Sequence, residues 1–283
     1  MAYGKRFGLF ACMFILCFIT CSVIVGIISY ISGGITTAAL RIMTVLQDIV
    51  VFILPAIATA IMITRKPDSF LSINCKPKAH QIILTVLAIV ASIPAMNLIV
   101  QWNESISFPE SLKAIEQWMK TSEESAATSV KLLLGGTSSL DLILSIMIVG
   151  ILAGLSEELF FRGMLQKLFQ TRPMNIHFAI WVTAIIFSVI HLQFYGFFPR
   201  MILGAFFGYL VWWSGSLWLP VIAHALNNTL VVVSQWMLEK GILDSDLSEL
   251  GTTLSITDLT LIITSVVCTT IFVYALFNRR NKI

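Results

Sequence analysis

The chain has 283 residues, 57% hydrophobic and 12% charged, with a formal net charge of +3, whereas soluble globular proteins carry about 25% charged residues. That composition excludes an ordinary soluble enzyme, and a charge so small and scattered excludes a basic surface for nucleic acid. The five cysteines form neither a C-x-x-C pair nor a disulfide framework, which leaves a polytopic membrane protein as the starting point.

In chain order, Lys5 and Arg6 precede an apolar run from Gly8 to Ile31. This run is too long for a signal-peptide core and is followed by no A-x-A cleavage pattern, so it reads as a retained first helix. Further apolar runs near Ile49 to Thr64, Ile82 to Val100, Asp141 to Phe161, Ile176 to Leu192, Phe198 to Trp213, Leu217 to Met237 and Leu259 to Phe277 predict an all-α bundle of about eight transmembrane helices. Between the third and fourth, Pro109-Glu110 opens a stretch in which Leu112, Ile115, Trp118 and Met119 recur at helical spacing. The segment at about 107–134 is therefore expected to be an amphipathic helix on the membrane surface. Three regions follow: 1–140 with the first three spans and the amphipathic segment, 141–237 with the polar-bearing spans, and 238–283 with a loop, the last span and a basic tail.

The charges alternate along this scheme. Lys5, Arg6, Arg65, Lys66, Lys76, Lys78, Lys167, Arg172, Arg279, Arg280 and Lys282 fall on one side. Glu104, Glu110, Glu116, Glu123, Glu124, Glu239, Asp244, Asp246 and Glu249 dominate the other. By the positive-inside rule, both termini are expected in the cytoplasm.

Ionisable side chains within apolar spans are costly, so each is a functional candidate. The fourth span carries Glu157, Glu158 and Arg162, the fifth carries His191, and the seventh carries His224 and Asn228. Glu158 and Arg162 are four apart and share a helix face, which predicts a structural ion pair. Glu157 is turned about 100° away and lacks that partner, so it is the candidate general base. His224 and Asn228 are also four apart, and an imidazole and an amide on one face suit donation to a developing oxyanion. His80 and His177 lie at span edges and read as solvated. Gly150 with Gly154, and Gly204 with Gly208, each make a small-residue face for close helix packing.

Taken in order, E-E-x-x-x-R at Glu157 to Arg162, F-x-x-x-H at Phe187 to His191 and H-x-x-x-N at His224 to Asn228 resemble the three motifs of the CAAX protease and bacteriocin-processing (CPBP, or Abi) family. That family includes the type II CAAX prenyl endopeptidases. The resemblance covers roughly Asp141 to Met237, and Leu159-Phe160-Phe161-Arg162-Gly163 looks like its bacterial members, which implies a bacterial inner membrane. It implies hydrolysis of a peptide bond in a membrane-associated or prenylated, CAAX-like peptide. Glu157 and His191 would activate water, His224 and Asn228 would hold the oxyanion, and Glu158 and Arg162 would brace the helix. Glu157, His191 and His224 are also a candidate zinc set, although the H-E-x-x-H spacing of zincins is absent. Metal-free glutamate and histidine chemistry is equally consistent. The competing readings are a proton-coupled transporter, for which the matching helix breaks of an inverted repeat are missing, and a non-proteolytic immunity or scaffold member of the same family. Substrate identity and oligomeric state are not legible.

Overall fold

The computed structural model describes residues 3–170, 175–244, 247–253 and 255–279; Arg172, Asp246, Arg280 and Lys282 lie outside the described residues. Nine principal helices are labelled in chain order: α1 (Tyr3–Ile31), α2 (Thr37–Ile63), α3 (Ala79–Glu104), α4 (Lys113–Leu134), α5 (Ser139–Gln170), α6 (Ile176–Val189), α7 (Phe197–Ser214), α8 (Trp218–Glu239) and α9 (Ile256–Asn278). The described residues contain no strand. Seven helices are long and apolar enough to cross a membrane, and α6, with 14 residues, is a shorter apolar helix.

All eight expected spans are helices, with three changes of extent. α2 begins at Thr37 rather than near Ile49, because Thr36 caps it by accepting from the Ala39 amide. Arg41, Gln47 and Asp48 therefore lie inside the helix. α5 continues to Gln170, beyond the expected end at Phe161. α6 stops at Val189, short of Leu192, whose φ of 54° no longer continues a right-handed helix. The amphipathic segment is α4, preceded by a single tight turn at Glu110–Leu112.

Side-chain hydroxyls repair the backbone where a helix is interrupted. Pro94 stands inside α3 and cannot donate to the preceding turn. Ser265 of α9 inserts there, donating to Ala91 O at 2.5 Å and accepting from the Ala95 amide at 3.2 Å. This locks α9 onto α3 where the helix would otherwise leave polar groups facing apolar surroundings.

Long-range contacts within the chain sort the loops into two ends. At one end Phe7 meets Phe169 with ring centroids 5.9 Å apart, Leu217 N donates to Ser72 O at 2.9 Å, and Trp213 packs on Phe277 at 6.1 Å. At the other, Arg41 pairs with Asp141 at 3.0 Å, Asn103 bonds both Phe194 O and Phe198 N, and Glu123 accepts from Tyr195 N. α6 thus runs from one end to the other despite its length, and the start of α1 and the end of α9 lie at the same end, as an even number of passes requires. Which side of the membrane that end faces rests on the charge alternation. Reporters fused after Lys282 and inserted near Lys76 are expected in the cytoplasm and one near Glu123 outside; a cytoplasmic signal at Glu123 would overturn the assignment.

Candidate active site

The site is built on α5, whose winding is irregular. π-helical turns at Ile146–Leu152 and Leu159–Leu165 flank a short α-helical stretch, Ala153–Glu158. Such wide turns recur at functional sites because they redirect side chains within a continuous helix. The small-residue faces then bring the neighbours close. A Cβ on Gly154 would lie 3.0 Å from the Ala225 nitrogen and 3.2 Å from its Cα, and one on Gly150 would lie 2.5 Å from Thr229 Oγ1. Only glycine lets α8 approach α5 so nearly, and that approach carries His224 to the glutamates. Gly204 does the same for α7, where an added Cβ would meet Arg162, Phe187 and Ala184.

Glu158 and Arg162 are both fully buried and form the expected ion pair, with Arg162 Nη1 donating to Glu158 Oε1 at 2.6 Å. Arg162 Nη2 donates to Gly204 O at 2.9 Å, and the guanidinium carbon stands 4.5 Å from the Phe187 ring centroid. A desolvated charge is tolerable when it is paired and bonded in this way. The same Glu158 oxygen has a second partner that the sequence did not suggest: His224 Nδ1 lies 2.8 Å away. With Arg162 opposite, Glu158 accepts, so Nδ1 of His224 is the protonated nitrogen and Nε2 faces the site. Phe207 stacks on the His224 ring at 5.1 Å and holds its plane.

His191 sits two residues beyond α6. Its Nδ1 lies 2.7 Å from Phe187 O, an acceptor only, so this imidazole too is protonated at Nδ1. Its Nε2 stands 3.9 Å from Glu157 Oε2, and that of His224 stands 3.8 Å from the same oxygen. Glu157 Oε2 is buried with no hydrogen-bond partner among the described residues. Both separations are too long for direct hydrogen bonds and suit a small molecule held between the groups. Phe187 touches both imidazoles edge-on, at 4.9 Å and 5.9 Å.

The structure therefore gathers Glu157, Glu158, Arg162, His191 and His224 into one cluster. Asn228 lies one turn further along α8, where Nδ2 donates to Val149 O at 3.0 Å and Oδ1 accepts from Asn227 at 3.3 Å. One Nδ2 hydrogen is thereby committed to the π-helical turn of α5 and one is left. His177 is exposed and bonds Tyr209, at the far end of α6 from His191, and His80 lies in the first turn of α3.

A zinc ion would draw on Glu157, His191 and His224. Among the described residues no three His, Cys, Asp or Glu side chains are disposed to hold a metal ion, so the donors as placed do not fit one.

Sequence reasoning missed Asp48, which joins this region from α2. It is 3% exposed, and Ser156 Oγ, next to Glu157, lies 3.0 Å from its Oδ1. The signal was present, since an acid with Met43, Val45 and Leu46 before it and Ile49 to Val51 after it is an intramembrane carboxylate rather than the edge of a loop.

Residues 139–230, about a third of the chain, match the family model described as type II CAAX prenyl endopeptidase Rce1-like. No curated protein matches the chain, and no solved structure does. The matched stretch contains Glu157, Glu158, Arg162, His191, His224 and Asn228, and excludes Asp48.

Proposed function

We propose that this multi-pass membrane protein, whose residues 139–230 belong to the CAAX protease family, is an intramembrane endopeptidase that hydrolyses a peptide bond with a glutamate-activated water. The observation that carries the reading is the convergence of Glu157 Oε2 with two imidazole Nε2 atoms at 3.8 and 3.9 Å, each ring fixed from behind through Nδ1.

A water bridging Glu157 Oε2 and an Nε2 gives one proton to the carboxylate as its oxygen attacks the scissile carbonyl carbon. The carbonyl π bond opens, and negative charge gathers on the carbonyl oxygen. The free N–H of Asn228 donates to that oxygen, and so does His224 as the imidazolium, which keeps Nδ1–H on Glu158 and has taken a second proton from solvent at Nε2 before the attack. When the intermediate collapses the C–N bond breaks, and Glu157 returns its proton to the leaving nitrogen. Glu158 has a double duty, neutralising Arg162 and setting the His224 tautomer, as the third member of a catalytic triad does for its histidine.

An apolar cleft lined by Phe14, Phe18, Val51, Phe52 and Ile190 opens between α1 and α2 beside the neighbours of His191 and Asp48. Its lining suits a membrane-associated or prenylated, CAAX-like peptide arriving from the lipid, and a bacterial inner membrane is the proposed setting. Regions 1–140 and 238–283 frame the catalytic helices of 141–237.

The test is cleavage of a panel of membrane and CAAX-like peptides, prenylated and not, by the purified protein in detergent, with and without a chelator. Cleavage that survives the chelator is expected. Failure to cut any peptide would return the chain to the non-proteolytic or transporter readings.

A further inference from the structure

The chemistry above leaves one buried acid unused. Asp48 opens a π-helical turn of α2, Asp48–Ile53, and no arginine or lysine is paired with it among the described residues. Its Oδ1 meets Ser156 Oγ at 3.0 Å, and its Oδ2 is buried with no hydrogen-bond partner among the described residues. Ser156 is itself fully buried, and its hydroxyl is also 3.1 Å from Ala153 O, so it ties Asp48 to the backbone of α5. An acid placed so deeply in a span costs more than one hydrogen bond to a hydroxyl returns, which marks Asp48 as more than packing.

Its place on α5 indicates the use. The stretch Ala153–Glu158 lies between two π-helical turns, where the i to i−4 ladder that would set its rotation is interrupted on both sides. The rotation is then governed by what grips the stretch. Gly154 rests on Ala225, Glu158 is held by Arg162 and His224, and Ser156 is held by Asp48. Glu157, the residue that must face both imidazoles, has no hydrogen-bond partner at Oε2 among the described residues. The Asp48–Ser156 link is the grip applied one residue before it, from α2.

We infer that Asp48 is a positioning residue for the hydrolysis: through Ser156 it fixes the turn of α5 that aims Glu157 at His191 and His224, so that α2 completes a site whose other members lie within 139–230. The inference rests on the hydrolytic reading. It places a functional residue outside the family-matched stretch, on a helix whose contribution is the clamp and not the reacting atoms.

The test uses the full chain in detergent and a peptide that the parent cleaves, with Asp48→Ala, Asp48→Asn, Ser156→Ala and the Asp48→Ala/Ser156→Ala double variant. Misplacing a reacting group by about 1 Å can cost about 10²-fold, so Asp48→Ala and Ser156→Ala are each expected to lower kcat roughly 10- to 100-fold at nearly constant KM. The double variant should be no slower than the worse single, because both act through one link. Asp48→Asn, whose amide oxygen still accepts from the Ser156 hydroxyl, should stay within about threefold of the parent. Thermal melting is followed alongside. Parental kcat in Asp48→Ala overturns the inference, as do multiplicative losses in the double variant, or a loss that tracks melting temperature and is not rescued by asparagine. A parent that cleaves no peptide overturns the hydrolytic reading first and this inference with it.

Discussion

Glu157→Gln is expected to lose at least about 10²-fold in turnover while melting within a degree or two of the parent, whereas Glu158→Gln should be both inactive and markedly less stable. The two residues are adjacent in sequence, and the difference lies in their partners. Among the described residues Glu157 is paired with no arginine or lysine and stands 3.8–3.9 Å from two imidazoles, so an amide of the same shape leaves no buried charge stranded. Glu158 accepts from Arg162 at 2.6 Å and from His224 at 2.8 Å through one oxygen, with Glu158 and Arg162 both fully buried. Replacing it with Gln leaves the guanidinium desolvated and uncompensated, a loss of about 3–5 kcal/mol. The amide oxygen can still accept from His224 Nδ1, but it lacks the charge that supports a protonated imidazole, so activity falls by a second route. Denaturation of the two variants beside the parent in one detergent, with peptide cleavage measured on each, makes the comparison. Equal stability losses would remove the division of labour between base and brace.

The i to i+4 pairing of Glu158 with Arg162 was legible because it is local: helix geometry alone sets it. The role of Glu158 toward His224 was not, because the two lie 66 residues apart and only the glycine-mediated approach of α8 to α5 joins them. The small-residue faces signalled that some helices would approach closely, without naming partners. Nor does hydropathy record that α6 is short or that α5 carries two π-helical turns. Asp48 was lost for a related reason. Arg41, Gln47 and Asp48 interrupt the apolar run, so hydropathy starts the second span after them. Arg41 is in fact held at the bundle end by Asp141 and the carbonyls of Leu133 and Gly135, and Asp48 is drawn inward by Ser156.

Asn228→Ala is expected to slow peptide cleavage by about 10²- to 10³-fold, the usual cost of removing one oxyanion donor. KM should change little, since that interaction strengthens mainly in the transition state. The geometry adds a second, smaller consequence. One Asn228 N–H already serves Val149 O at 3.0 Å, so the variant also unties α8 from the π-helical turn of α5, with a stability loss of about 1 kcal/mol. The two effects separate cleanly, because a loss of 1 kcal/mol leaves the protein folded at assay temperature and cannot produce a hundredfold fall in kcat. The same variant decides between hydrolysis and proton-coupled transport. An amide does not titrate, so a proton relay would pass through His224 and Glu157 and leave Asn228 a secondary part. Ion-gradient-driven uptake in proteoliposomes is therefore measured beside cleavage for the parent, Asn228→Ala and His224→Ala. Hydrolysis requires both substitutions to suppress cleavage. Uptake that persists in Asn228→Ala and disappears in His224→Ala, with no peptide cut by the parent, would establish the relay and remove the oxyanion role from both side chains.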